Sequence, residues 1–389
     1  MATAVSLQPP SVDSLPSYTP RSGPLNFDVH NRSPDRHNDH AYHLVKNGKQ
    51  WLTLSLRSQA GNDDKTPRFN QGHPITGSVR LALTNEAVIR SVSIMVTGEL
   101  TSPAYYSRFL TMTRQLFVSD TNEVDLTLRD APKAFAGKLK GEHTWPFSIR
   151  LPKGVCIVLS DAVKHNFRLP PTLTDLQSKA QIHYRVVVRV KKGLLNSDTR
   201  LSTEFTYTPL LRPTEPSILR QIAYLENQPL VGPEGDLEGW KSVEPFILTG
   251  KVFNARPVTA ECTALDLLSI PVNSLEVVSP EDCHPEAVST AVWWAAQERG
   301  GNTRERRVLH GEVNIPQDAP PSCRIVNFKL QYAITFLHLK AVGFTPSFPD
   351  GRKAALQYLH SEPIEVVTVP AHGPPQTSSL PPVYDAIPT

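Results

Sequence analysis

Cysteine is scarce in this 389-residue chain. Cys156, Cys262, Cys283 and Cys323 lie far apart and never form a CxxC pair. Zinc sites and disulfide frameworks use close, paired cysteines, so four reduced cysteines in a reducing compartment are expected. Charge of one sign is missing as well: 40 Lys and Arg against 37 Asp and Glu leave a formal net charge of +3. Nucleic-acid binding needs a clustered basic face, and the longest pure basic run is Lys191-Lys192, so no nucleic-acid partner is expected. No apolar run approaches the roughly 18 residues of a membrane span. The amino terminus, MATAVSLQPPSVD, has neither the basic nor the apolar region of a secretory signal. The expectation is a soluble, intracellular protein. Catalytic signatures are missing too: GxSxG, GxxxxGK[ST], GxGxxG and HExxH are all absent. No enzyme, no cofactor and no resident metal are expected.

Proline is abundant, with 36 residues against an average usage of about 5%. Helix interiors exclude it, because it lacks a donor N–H and clashes with the preceding turn. A proline-rich chain of ordinary apolar content therefore points to strands with many turns. The length suits two domains with tails. Residues up to about His40 are polar and proline-rich, too poor in apolar surface to order themselves. From Trp51 onward short alternating runs appear: Leu52/Leu54/Leu56, Val79/Leu81/Leu83, Val92/Ile94/Val96, Val124/Leu126/Leu128 and Trp145/Phe147/Ile149/Leu151. The clearest is QIHYRVVVRVKKG, with Ile182, Tyr184, Val186, Val188 and Val190 on one face. His183, Arg185, Arg189 and Lys191 share the other face with Val187, which predicts a half-buried strand with a cationic outer side. Prolines and glycines from Pro209 to Gly239 read as a hinge. Beyond it the strand texture resumes in FILTGKVF, VTAECTALDLL, VNSLEVV, RRVLHGEVNI and PIEVVTV. Val326, Phe328, Leu330, Tyr332, Ile334 and Phe336 read as one strand with a bulge near Leu337. PEAVSTAVWWAAQERG reads as strand or short helix, with Trp293-Trp294 as core.

Among candidate sites, His37, His40 and His43 near Asp35 and Asp39 would face one way only on a helix, and a solvated linker is preferred. Arg185, Arg189, Lys191 and Lys192 are candidate contacts for an acidic partner or a lipid headgroup. The tail holds Leu380-Pro381-Pro382-Val383-Tyr384, a PPxY sequence. Two prolines pre-set a polyproline II backbone, so docking into an aromatic groove costs little entropy. The tyrosine returns to nearly the same side of that three-fold helix, as WW-domain ligands require. Leu15-Pro16-Ser17-Tyr18 is an imperfect second copy, and two weak sites on one chain give avidity where both tails reach the partner.

Several stretches together resemble fungal arrestin-like proteins of the α-arrestin, or arrestin-related trafficking adaptor, type. They are ITGSVRLAL at Ile75–Leu83, SVSIMVTGELTS, HTWPFSIRLP at His143–Pro152, the LPP of Leu169–Pro171 and IHYRVVVRV. In the second half they are the IPV of Ile270–Val272, RRVLHGEVNIP, PSCRIVNFKLQYAITFLHLKAVGF and PIEVVTVP. The resemblance implies an all-β fold of two arrestin-like immunoglobulin-type β-sandwich lobes. The expected organisation is a tail over 1–41, lobes over 42–212 and 241–370, a hinge over 213–240 and a Pro-rich tail over 371–389. It also implies a non-catalytic adaptor, docked to a WW-domain HECT-type ubiquitin ligase through Pro381, Pro382 and Tyr384. Its cargo would be membrane transporters or receptors, ubiquitinated for endocytosis, with peripheral recruitment from the cytoplasm to the plasma membrane and endosomes. Such proteins are commonly ubiquitinated themselves; Lys138, Lys140, Lys191 and Lys192 are accessible-looking acceptors. The rival expectation is a scaffold of ambient-pH signalling or retromer-like coat assembly, without ubiquitin transfer.

Overall fold

A computed structural model describes residues 38–59, 66–119, 138–159, 163–176, 178–193, 198–232, 235–242, 245–253, 255–262, 265–266, 288–295, 309–313, 315–316, 318–337, 344–346 and 358–374. In the first half, the alternating runs that fall on described residues become strands. β1 (Asn38–Lys46) and β2 (Lys49–Ser58) form a hairpin. Its two turn residues, Asn47 and Gly48, have φ of 52° and 72°, the left-handed backbone that two-residue hairpin turns require. β1 starts at Asn38, earlier than the expected end of the tail at residue 41, because β2 offers it a ladder to pair with. β3 (Arg68–Asn70), β4 (Ile75–Ser102), β5 (Tyr105–Val118) and β6 (Lys138–Ile149) follow. Next come the hairpin of β7 (Gly154–Val158) and β8 (Lys164–Arg168), then β9 (Leu173–Thr174), β10 (Gln181–Lys192) and β11 (Thr199–Thr208).

One nine-stranded sheet takes in all of these but β7 and β8, in the order β1-β2-β4-β10-β11-β3, with β5 and β6 also on β4 and β9 on β10. The 28-residue β4 is its spine. Its first part pairs β2 and β6, and its second part pairs β5 and β10. The inward positions change parity along it: Val79, Leu81 and Ile89 are buried, then Val92, Ile94 and Val96. The pairing explains the change. Lys192 faces Ile89 and Lys191 faces Ser91, which leaves Arg90 as an extra residue. One inserted residue flips every later side chain to the other face and increases the local twist. Leu52, Leu54 and Leu56 of β2 and the five inward residues of β10 complete the core, all essentially inaccessible. Each such side chain contributes about 1.5–3 kcal/mol through burial.

The segment expected to be a hinge contains a helix, α1 (Ile218–Glu226). Ser217 caps it by accepting from the Arg220 amide at 3.2 Å, and Asn227 ends it in a left-handed conformation. Those are standard start and stop signals. Afterwards come β12 (Lys241–Ser242), β13 (Phe246–Val252), β14 (Arg256–Cys262), β15 (Leu265–Asp266), β16 (Val292–Ala295) and β17 (Leu309–Glu312). The last elements are β18 (Cys323–Ile325), β19 (Phe328–Leu330), β20 (Tyr332–Leu337), β21 (Phe344–Pro346) and β22 (Tyr358–Ile364). β13 lies between β14 and β21; the others pair as β12–β15, β16–β17, β18–β19 and β20–β22.

Among the described residues the body is all-β apart from α1. The tryptophan pair lies on strand β16, one of the two readings the sequence left open. One expectation needs revision. The run from Val326 to Phe336 is not one strand: β18 and β19 make a hairpin that turns at Val326, whose φ is 52°, and β20 then pairs with β22. The bulge near Leu337 is present, as a register shift between Phe336 and Leu337. Val124–Leu128 and VNSLEVV lie outside the described residues. Ile325 of the β18–β19 hairpin is fully buried within the core formed by the nine-stranded sheet.

Candidate interaction surface

β10 presents its odd-numbered residues on the face away from the core, and the neighbouring strands set what surrounds them. Thr97 of β4 faces Arg185, Ser93 faces Arg189 and Ser91 faces Lys191. On the other side Glu204 of β11 faces Arg185 and Arg200 faces Arg189. The expected cationic row is therefore a mixed-charge ladder. Arg185 donates to Glu204 Oε1 through Nε at 3.1 Å and Nη2 at 3.0 Å, and its Nη1 lies 3.6 Å from Glu99. Arg189 Nε lies 3.5 Å from Asp198 Oδ2. Exposed pairs of this kind stabilise by roughly 0–1 kcal/mol, but they do neutralise the row.

Positive charge in excess is left at one end. Arg200 adds to Arg189 there, and Lys191 is exposed with no ion pair among the described residues. Lys192 does not continue the row. Its Nζ lies 4.5 Å from the centroid of the Trp51 ring, a cation–π contact. Partial burial and the nearby Lys46 charge lower its pKa. Of the four lysines considered as modification sites, Lys138, Lys140 and Lys191 are exposed and Lys192 is half-covered.

Glu99 organises the opposite end of the face and was legible only as part of a sequence string. Its side chain is 7% exposed and sits between Arg108 of β5 and His183 of β10, its register partners on either side. Arg108 Nε donates at 2.8 Å. His183 Nε2 lies 3.1 Å away, and because a carboxylate only accepts, that nitrogen carries the hydrogen. Burial by itself raises the Glu99 carboxyl. Bonds from Arg108, His183 and Tyr106, with the Arg108 charge, outweigh it, so the pKa is lowered. Beside it Gly98 has no room for a side chain: a Cβ would come 2.6 Å from the Phe109 ring and 2.9 Å from that of Tyr184. Tyr184 in turn donates to the Pro170 carbonyl at 2.7 Å, which ties the buried LPP segment to β10.

The Cys323 thiol is pushed up to about 12 by burial, which keeps it protonated and unreactive. His40 and His43 fall on opposite faces of β1, bonded to Ser58 and Thr53. Among the described residues no group of three or more His, Cys, Asp or Glu is placed to hold a metal. No described helix is long and apolar enough to cross a membrane. Leu380, Pro381, Pro382 and Tyr384, like Leu15, Pro16 and Tyr18, lie outside the described residues. The described chain ends at Pro374, with His372 and Gly373 exposed. No model of a known protein family matches the chain, and no curated protein sequence matches it.

Proposed function

We propose that this chain is a non-catalytic adaptor of the α-arrestin type. The body would comprise two arrestin-like sandwich lobes, over 42–212 and 241–370, joined through 213–240. The C-terminal PPxY would recruit a WW-domain HECT ubiquitin ligase, and the body would grip a membrane transporter or receptor, promoting its ubiquitination and endocytosis. The protein would work from the cytoplasm, recruited to the plasma membrane and endosomes.

One observation carries the reading: in the sequence Leu380-Pro381-Pro382-Val383-Tyr384 follows a Pro/Ser-rich stretch, and the last described residues before it include the exposed His372 and Gly373. The proline pair supplies the rigid backbone and Tyr384 the second anchor. The all-β body and the mixed-charge polar face suit protein binding. Tyr384→Ala is expected to abolish binding of purified WW domains to the full chain, with an unchanged circular dichroism spectrum. Equal binding of the variant and the parent would remove the motif from the function.

A further inference from the structure

α1 is built inside out. Its inward side holds Arg220, which donates to the Gly239 carbonyl and lies 5.6 Å from the Trp240 ring, and Ala223. Its outward side holds Ile218, Leu219, Ile222 and Leu225, of which Ile218 and Leu225 are each 73% exposed. At 100° per residue Ile218, Ile222 and Leu225 form one stripe, with Leu219 at its edge. A continuous apolar helix face turned to water marks a binding surface.

The position of the last described residues identifies the occupant. The segment after β22 is fastened to the stretch that leads into α1: the Leu211 amide donates to Thr368 Oγ1 at 2.8 Å, and Arg212 donates to the Pro370 carbonyl at 2.5 Å. Gly373 then lies against Gln221, where an added Cβ would sit 3.5 Å from Oε1. On the helical wheel Gln221 borders Leu225 and Ile218, so the last described residues lie at the margin of the stripe. From Pro374 to Leu380 the chain reaches up to about 20 Å at roughly 3.3 Å per residue. That exceeds the ~14 Å length of a nine-residue helix. The segment that follows, LPPVYDAIP, has four apolar anchors in Leu380, Val383, Tyr384 and Ile387 and a single charge, Asp385.

We infer that the outer face of α1 is the docking site of the chain's own segment Leu380–Ile387, which holds Tyr384 against Ile218, Ile222 and Leu225. Other occupants fit less well. Four side chains on a short helix fall far below the ~800 Å² per partner of a stable dimer, whereas a tether supplies an effective concentration in the millimolar range. An anionic bilayer gains nothing, since Glu215 and Glu226 are the exposed charges at the two ends of α1 and Arg220 points inward.

The test is photo-cross-linking in the full chain carrying Tyr384→benzoylphenylalanine. Cross-links are expected in residues 217–228, unchanged on dilution and reduced about fivefold or more by Ile222→Glu with Leu225→Glu, a charge placed in an apolar contact. Cross-links elsewhere, or none, in the chain without the glutamates would overturn the docking by themselves. Yields that fall on dilution would also overturn it, assigning the face to a second copy. A second arm rests on the proposed WW-ligand reading. The full chain should bind a WW domain about threefold or more weakly than the free peptide 375–389, as docking lowers the competent fraction, and the two glutamates should close that gap. Equal affinities of chain and peptide count against the docking. A peptide that does not bind at all counts against the ligand reading instead, and the cross-link map still decides the docking.

Discussion

Between Asn38 and Thr208 nine strands join one sheet, whereas from Lys241 onward the described strands pair only two or three at a time. Both regions have similar alternating sequence. The difference lies in β4, a strand long enough to be shared by two sets of partners, so that the residues facing inward from β2, β6, β5 and β10 converge on one core. Beyond Lys241 no described strand exceeds seven residues. Burial follows from that sharing: Leu54 is fully inaccessible, while Ile247 on β13 is 68% exposed. Apolar alternation marks a strand, but the number of neighbouring strands decides how much of it becomes core.

The strongest way to break this comparison is a matched pair of truncations. Leu54→Ala is expected to cost about 2–5 kcal/mol, and Ile247→Ala less than about 0.5 kcal/mol, in denaturant-induced unfolding. Equal losses would erase the distinction between the regions. Ile325→Ala is expected to cost about 2–4 kcal/mol and to lower the unfolding transition of the nine-stranded region, since its side chain completes that core although it arises from β18. If only a separate, later-region transition moved, the hairpin would belong energetically to its sequence neighbours. Gly98→Ala should destabilise by about 1–3 kcal/mol, because the Phe109 and Tyr184 rings must shift to admit a methyl group. An unchanged denaturation midpoint would mean that the two rings yield freely there.

The smallest effect sharpens the electrostatics of the same region. The folded-state pKa of Glu99 is lowered, so its contribution is present above the ordinary carboxylate range and is lost as pH falls through the folded value. Acid unfolding of the parent chain should therefore be steeper than that of Glu99→Gln, measured by fluorescence against pH. Identical profiles would show that Arg108 and His183 do not hold the carboxylate in its charged form.

Much of the strand content could be read directly. QIHYRVVVRVKK predicted β10 with the correct buried face because period-two alternation has one structural solution when one side is covered. The same logic failed at Val326, where a β-branched residue in the left-handed region makes a turn that propensity disfavours. Helix α1 escaped notice because prolines on both sides suggested a hinge, and because its apolar stripe faces outward. The Ser217 cap was the available signal. Glu99 was invisible as a site because a buried acid acquires meaning only from residues far away in the chain that pair beside it.

The amino-acid order alone determined which residues alternate, where prolines forbid helix, and that a PPxY lies near the carboxyl end, since these are local properties of a few neighbouring side chains. The tertiary structure decided the rest. It matched Arg185 and Arg189 with Glu204 and Asp198, set Glu99 between Arg108 and His183, drew Ile325 into a distant core and placed Gly373 beside Gln221 of α1. Each of these depends on strand register and on contacts between residues remote in sequence, which no local pattern encodes.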